Sequence, residues 1–201
     1  MDGFARVRNA SPQDPLRLAV LISGSGSGME ALLRHQANGC THTTVVVISN
    51  KAGVGGLERA RAFSTPTEVV EVTNGREEHE ERLLTTLAEY DVEAVILSGY
   101  MRVLTPLFVR AWKGRLLNIH PSLLPKYPGA HAHRDALADG ATVSGCTVHL
   151  VDEGVDSGPI LAQSETAIAA DETVESLQEK IKALEHRLYP AVIDDFASGE
   201  I

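Results

Sequence analysis

The chain has 201 residues and a formal net charge of −9, with 18 Lys and Arg against 27 Asp and Glu. Its hydrophobic fraction of 43% and charged fraction of 22% are typical of a folded globular protein and exclude general disorder. The acidic charge argues against nucleic acid as the main partner, and no apolar run approaches the roughly 18 residues that a membrane span needs.

Residues 1–15 are polar and contain two prolines, so we expect a flexible leader followed by one domain over residues 16–201. The leader lacks the apolar centre of a signal peptide. Cys40 and Cys146 stand far apart without a Cys-x-x-Cys pair, which indicates a reducing compartment and no metal knuckle. We therefore expect a soluble, cytoplasmic, single-domain protein.

Strands and helices alternate through the first 120 residues. Apolar and β-branched runs predict strands, and amphipathic segments between them predict helices. The predicted strands are 16–23, 41–49, 69–72, 92–99 and 115–120, and the predicted helices are 29–36, 56–63, 76–90 and 106–113. This order is typical of a parallel α/β sheet with helices on both faces.

The pattern changes after residue 120. Residues 121–129 hold three prolines and predict an ordered loop, while 145–151 and 158–168 predict an antiparallel pair of strands. Asp171 can cap a final helix, in which Pro190 predicts a kink or a split. The predicted fold class is a single α/β domain, mostly parallel, with an antiparallel addition in its C-terminal half.

A glycine-rich loop follows the first predicted strand, at the edge where open parallel sheets bind ligands. Residues 23–28 read Ser-Gly-Ser-Gly-Ser-Gly and lead into a helix, so backbone N–H groups and the helix dipole suit a phosphate. Met29 replaces the last glycine of a dinucleotide fingerprint, and no acidic residue follows the second strand. A monophosphate cradle and a simple tight turn remain as alternatives.

Polar side chains end the fifth predicted strand. Alternation places Asn118 and His120 on one side of it, about 7 Å apart along the chain. A carboxamide and an imidazole there can stabilise an oxyanion and move a proton, and the alternative is a buried histidine tied to a carbonyl. Asp156, in an acidic turn after the strand that carries His149, either orients an imidazole or is a solvated turn residue.

Other chemistries have weaker signals in the sequence. His131 and His133 could contribute to a metal site, but no third ligand stands at a fixed spacing, so we expect no metal. A Gly-x-Ser-x-Gly motif is missing and neither cysteine has an adjacent base, so covalent acyl catalysis is not expected.

Six segments stand out together: LISGSGSGMEALL (21–33), SNKAGVGGLERA (49–60), ILSGYMRVLTP (96–106), LLNIHPSLLPKYPGAHAHRDAL (116–137), GCTVHLVDEGVDSGPILAQ (145–163) and LEHRLYP (184–190). Together they resemble the phosphoribosylglycinamide formyltransferase family of purine biosynthesis. The similarity covers residues 16–196, and the stretch NIHPSLLPKYPG is specific to transferases that use formyltetrahydrofolate.

The resemblance implies a formyltransferase fold that moves a formyl group from 10-formyltetrahydrofolate to the amine of phosphoribosylglycinamide. It implies small-molecule substrates, no metal, no nucleic acid or membrane partner, and a homodimer as one option. The residues it implies are Asn118, His120 and Asp156 for catalysis; Gly26, Ser27, Gly28 and Glu185 for phosphoribosylglycinamide; and Arg76, Met101, Arg102, Val103, Leu104 and Asn118 for the folate.

One departure and three alternatives accompany the resemblance. Gly28 stands where the family usually has asparagine, so a side-chain contact is lost while the backbone donors remain. A methionyl-tRNA formyltransferase is disfavoured by the acidic charge and the lack of a second, basic domain. A formyltetrahydrofolate hydrolase is disfavoured by the short leader, and a non-catalytic folate- or nucleotide-binding module would not need the three catalytic residues.

Overall fold

A computed structural model describes residues 7–201, and a seven-stranded mixed sheet forms its centre. The strands are β1 (Leu16–Ile22), β2 (His42–Ser49), β3 (Thr67–Val69), β4 (Ala94–Leu97), β5 (Leu116–His120), β6 (Val143–Leu150) and β7 (Ile160–Ala167). Their spatial order is β3-β2-β1-β4-β5-β6-β7. The first five strands pair in parallel, whereas β6 runs antiparallel to both β5 and β7. This arrangement confirms the predicted fold class.

Six helices among the described residues cover the two faces of the sheet. They are α1 (Ser27–Gln36), α2 (Gly55–Ala62), α3 (Arg76–Glu89), α4 (Pro106–Ala111), α5 (Ala132–Ala138) and α6 (Val174–Ser198). Alternation along β1 explains the two cores: Leu18, Val20 and Ile22 pack with α1 and α6, while Ala19 and Leu21 pack with α3 and α4. A strand buried on both faces therefore reads as a continuous apolar run.

Three elements differ from their predictions. The structure adds α5, shifts β3 to residues 67–69, and begins α6 at a capping box on Thr173 rather than at Asp171. The predicted split at Pro190 is wrong, because the 25-residue helix α6 is unbroken from Val174 to Ser198. Proline removes one helical hydrogen bond, and the buried side chains of Tyr189 and Ile193 on either side hold the helix against the sheet.

Residues 7–15 of the predicted flexible leader lie against the domain, and residues 1–6 fall outside the described residues. The Ala10 backbone N–H donates to the Ala197 carbonyl at 2.8 Å. The Arg8 guanidinium contacts the carboxylates of Glu93 and Asp14. No helix within residues 7–201 has both the length and the apolarity required to cross a membrane.

The strand order positions the functional edge of the sheet. Chain order runs outward in opposite directions from β1 and from its neighbour β4, so the loops that follow these two strands diverge. In open parallel sheets such a switch point leaves a crevice at the carboxyl ends of the strands, where ligands bind. Residues 23–28 and 98–105 are the loops that flank it.

Candidate active site

Two cavities open at this edge of the sheet. The glycine-loop cavity, about 510 Å³, is lined by residues 23–28, by Ser98 and Met101 after β4, and by one face of α6. The acidic-turn cavity, about 200 Å³, is lined by residues 102–104 and 152–156. Strand β5 separates them: its Asn118 faces the acidic-turn cavity, while its next residue, Ile119, lines the glycine-loop cavity.

His120 and Asp156 meet beside this boundary. The ring Nδ1 of His120 lies 3.3 Å from Oδ2 of Asp156, and its Nε2 lies 2.9 Å from the Tyr127 carbonyl oxygen. A hydrogen on Nε2 donates to the Tyr127 carbonyl oxygen, while Nδ1 faces the Asp156 carboxylate. His120 is 5% exposed, so these contacts form away from bulk water. The structure thus brings together two of the three predicted catalytic groups.

The His149 ring lies between the third group, Asn118, and the Asp156 carboxylate. Its Nε2 lies 3.2 Å from the Asn118 amide nitrogen and 3.7 Å from Oδ1 of Asp156. Burial lowers the pKa of His149 and outweighs the opposing effects of the Leu150 carbonyl and the Asp156 carboxylate. A neutral ring with its hydrogen on Nδ1, toward the Leu150 carbonyl at 3.0 Å, accepts from the Asn118 amide at Nε2. His149 therefore orients the Asn118 side chain.

Steric contacts explain why two positions of the glycine loop are occupied by glycine. Gly26 caps α1 with a φ of +70°, and a Cβ there would lie 2.8 Å from the Cα of Gly56. A Cβ on Gly28 would lie 2.8 Å from the Ser98 hydroxyl oxygen, so Ser98 occupies the space of a larger residue 28. The first N–H groups of α1 have no helical partner, and Ser27 and Gly28 line this cavity.

One face of α6 completes the glycine-loop cavity. Glu185 lies there with Gln178, Lys182 and Tyr189, and burial raises the pKa of Glu185 to about 7 although Lys182 opposes the shift. Only Glu185 is implied by the resemblance. Gln178 and Lys182 lie three to seven residues before it, and this helical spacing is the signal that would have found them.

The predicted folate residues divide between three places. Arg102, Val103, Leu104 and Asn118 line the acidic-turn cavity. Met101 is 74% exposed and lines the glycine-loop cavity instead. Arg76 is exposed at the start of α3 and is not among the described residues that line either cavity.

Side chains of α3 hold segment 98–105 in place through hydrogen bonds. The Tyr100 hydroxyl lies 2.7 Å from Nε2 of His79. The buried carboxylate of Glu80 accepts from the backbone N–H of Thr105 at 2.7 Å and from the Thr105 hydroxyl. Thr105 in turn caps α4. The segment between the two cavities is therefore fixed at both ends.

His131 and His133, the candidate metal ligands in the sequence, lie in different surroundings. His131 is exposed at the start of α5, and His133 lines the glycine-loop cavity, where burial lowers its pKa. Within residues 7–201, neither belongs to a group of three or more metal-ligating side chains close enough to share an ion.

Comparison with protein families decides where the chain belongs. Residues 16–193 match the family described as formyl transferase. The chain belongs to this family. The formyl transferase is 46% identical over 203 residues to the trifunctional purine biosynthetic protein adenosine-3 of Chironomus tentans, an alignment that covers 98% of this chain and 15% of the relative. It therefore spans only a small part of that relative's length.

Two relatives match over most of their own length. The formyl transferase is 40% identical over 189 residues to phosphoribosylglycinamide formyltransferase of Escherichia coli (strain K12), covering 92% of this chain and 89% of the relative. The crystal structure of glycinamide ribonucleotide transformylase 1 from Symbiobacterium toebii matches with a TM-score of 0.88 and 42% identity, over 92% of this chain and 89% of that one.

Proposed function

We propose that this formyl transferase moves a formyl group from 10-formyltetrahydrofolate to the amine of phosphoribosylglycinamide, giving formylglycinamide ribonucleotide and tetrahydrofolate. One observation supports the proposal: Asn118 and Asp156 both lie within 4 Å of the His149 ring, and Asp156 also contacts His120, at the boundary between two cavities. Group transfer needs two substrates held against each other at one catalytic point. The names of the two relatives that match over 89% of their own length support the choice of substrates.

The glycine-loop cavity suits the ribonucleotide. Gly26, Ser27 and Gly28 supply backbone donors and the positive end of α1 for its phosphate. Lys182 adds a positive charge to the same cavity. Glu185 would accept a hydrogen bond from the amine end of the substrate.

The acidic-turn cavity suits the folate. The apolar side chains of Val103 and Leu104 can pack against a pteridine ring, and Arg102 can pair with a carboxylate. Met101 lines the glycine-loop cavity, and Arg76 is exposed and lines neither cavity. We assign both to the part of the folate that extends out of the acidic-turn cavity.

The proposed chemistry uses the three linked groups. The substrate amine attacks the formyl carbon, so a new C–N bond forms while the carbonyl oxygen becomes an oxyanion. The Asn118 amide and the His120 ring donate hydrogen bonds to that oxygen, and Asp156 stabilises the charge on the ring. The bond from carbon to folate N10 then breaks as the amine proton passes to N10, directly or through water. In this proposal His120 exchanges the Tyr127 carbonyl for the substrate oxygen.

The proposal includes the cellular setting. The net charge of −9 supports small-molecule substrates over nucleic acid, and two free cysteines support a cytoplasmic location. The proposal names no membrane partner and no catalytic metal, and it is compatible with a monomer or a homodimer.

A folate absorbance assay tests the proposal. Purified protein is mixed with 10-formyltetrahydrofolate, with and without phosphoribosylglycinamide, and tetrahydrofolate release is followed. We expect release that requires the amine. Release without the amine would indicate the hydrolase alternative, and no release in either mixture would indicate a binding module; either outcome contradicts the proposal.

A further inference from the structure

A second cluster of reactive side chains lies at the opposite edge of the sheet. His42 opens the eight-residue strand β2, whose far end leads to the glycine-loop side of the molecule. His35 lies in the last turn of α1, Cys40 lies between α1 and β2, and Asp194 lies on α6. From the length of β2, the cluster lies roughly 20 Å from the glycine loop. It takes no part in the proposed transfer chemistry.

The four side chains converge on one point. Each offers one ligand atom, and all four atoms lie within 4.8 Å of one another. His35 Nε2 lies 2.5 Å from Asp194 Oδ2, and His42 Nε2 lies 3.5 Å from Asp194 Oδ1. Ligands of a tetrahedral zinc ion, at about 2.0–2.3 Å from the metal, are about 3.3–3.6 Å apart. Small side-chain movements would bring all four to that geometry.

His42 presents an unsatisfied nitrogen to this point. Its side chain is fully buried, and its Nε2 makes no hydrogen bond of ordinary geometry. A buried, unpaired ring nitrogen is costly unless something pairs with it.

We propose that His35, Cys40, His42 and Asp194 form a binding site for a zinc-class transition metal ion. A thiolate, two imidazoles and one carboxylate are ligands that Zn²⁺ and Co²⁺ accept, whereas Mg²⁺ and Ca²⁺ prefer oxygen alone. Four protein ligands close the coordination shell, which is typical of structural sites. The ion would tie α6 to the connection between α1 and β2.

Hydrogen bonds from neighbouring residues determine which atoms of Asp194 and His42 would bind the metal. Thr41 donates to Asp194 Oδ1 from both its backbone N–H, at 3.0 Å, and its hydroxyl, at 2.6 Å, so Oδ2, the oxygen that contacts His35 Nε2, would be the metal ligand. The Gln36 amide nitrogen lies 2.8 Å from His42 Nδ1, while its oxygen accepts from the Thr44 backbone N–H at 3.1 Å. Metal on Nε2 would put a hydrogen on Nδ1, so the Gln36 amide would have to turn its oxygen from the Thr44 N–H to the ring.

Cobalt and zinc titrations of the full chain, prepared without a polyhistidine tag, test the site. We expect one Co²⁺ to bind per chain with a thiolate-to-metal absorption band, and Zn²⁺ to displace it. Cys40→Ser should remove the band and weaken Zn²⁺ binding by at least about tenfold. Cys146→Ala is the matched control, because three strands separate β6 from β2, and it should keep the band.

A thermal melt with and without Zn²⁺ gives a second reading that does not depend on activity. Zn²⁺ should raise the Tm of the wild type and of Cys146→Ala but leave that of Cys40→Ser unchanged. Cys40 is only partly buried, so its serine variant should fold. A wild type with no thiolate band and no rise in Tm overturns the inference, and so does a band that survives in Cys40→Ser. Neither result bears on the formyl transfer assay.

Discussion

The side chain of His120 touches two acceptors whose backbones are both strained. Tyr127 has a φ of +53° and Asp156 a φ of +50°, in the left-handed region that favours glycine. Such a conformation costs a non-glycine residue about 1–2 kcal/mol and persists only where surrounding contacts fix it. Here the contacts aim a carbonyl and a carboxylate at the same ring, so the strain serves to place His120.

Gly26→Ala should damage the glycine-loop cavity. The methyl group would enter a position with φ +70° and approach the Gly56 Cα at 2.8 Å. We expect a loss of about 1–3 kcal/mol in the free energy of unfolding and a raised KM for phosphoribosylglycinamide. Gly24→Ala is the control for stability, because nothing lies within 4 Å of its added Cβ. Equal stabilities of the two variants in denaturant titrations would contradict this account of the loop.

Glu185→Gln should change how stability depends on pH. Burial raises the folded-state pKa of Glu185 from 4.5 to about 7, so the folded protein keeps a proton that the unfolded chain loses between those values. The free energy of unfolding therefore falls as pH rises through that window. Because the side chain is only partly buried, we expect Glu185→Gln to gain about 1–2 kcal/mol over wild type between pH 4.5 and 8.

Denaturant titrations at both pH values measure this difference. Glu179→Gln, at an exposed position on the same helix, should follow the wild-type curve. If the free energies of unfolding of wild type and Glu185→Gln depend on pH in the same way, burial does not raise the pKa of Glu185 and the prediction is wrong.

Part of the site could be predicted from the sequence at the scale of single residues. Strand alternation predicts Asn118 and His120 on one side of β5 because both belong to one short element. Spacing cannot place Asp156 beside them, since it lies in a turn beyond the next strand; the resemblance supplied it. His149 stands opposite Asn118 in the β5–β6 ladder, and only the register of that pairing reveals the contact. The spacing of His35, Cys40 and His42 does not match a known metal motif such as Cys-x-x-Cys, so the sequence alone does not predict this cluster.

At the scale of elements, α3 acts as a base for the loop between the two cavities. Glu80 is 1% exposed and holds Thr105, and His79 holds Tyr100. Between these anchors lie the residues assigned to the folate, 101–104. Helix α3 therefore contributes to the site through buried side chains that touch neither cavity.

Glu80→Ala should release this loop. Removing the carboxylate leaves the Thr105 N–H and hydroxyl unpaired, which costs about 1–3 kcal/mol of stability. We expect KM for 10-formyltetrahydrofolate to rise several-fold and to rise more than KM for phosphoribosylglycinamide, as measured by steady-state kinetics, because residues 102–104 line the acidic-turn cavity. Glu81→Ala, an exposed neighbour, should change neither constant. Equal increases in both constants would indicate a general loss of structure instead.

Element boundaries show what local patterns can and cannot decide. Continuous apolar runs located β1, β2, β4 and β5 within a few residues because strands buried on both faces need them. Helix α5 follows a proline-rich loop and has only seven residues, too few to show a periodic pattern. Pro190 predicts a kink or a split, and the buried face of α6 prevents the split, since packing outweighs one lost hydrogen bond.

For the whole molecule, the alternation of strands and helices predicts a parallel sheet but not the order of its strands. The placement of β1 beside β4 depends on contacts between residues far apart in sequence, such as the pairing of Val20 with Ile96. That pairing creates the crevice in which both cavities open. The general position of the site follows from the fold class, whereas its division into two cavities required the structure.

The central claim is that His120, with Asn118 and Asp156, acts on the formyl carbonyl at the boundary of the two cavities. Single-turnover measurement of formyl transfer by His120→Ala, at saturating concentrations of both substrates, tests it most directly. The account predicts a rate about 10²–10³-fold below wild type with the fold retained by circular dichroism, a loss of about 2.7–4 kcal/mol in transition-state stabilisation. A rate within about threefold of wild type, less than about 1 kcal/mol, would contradict it.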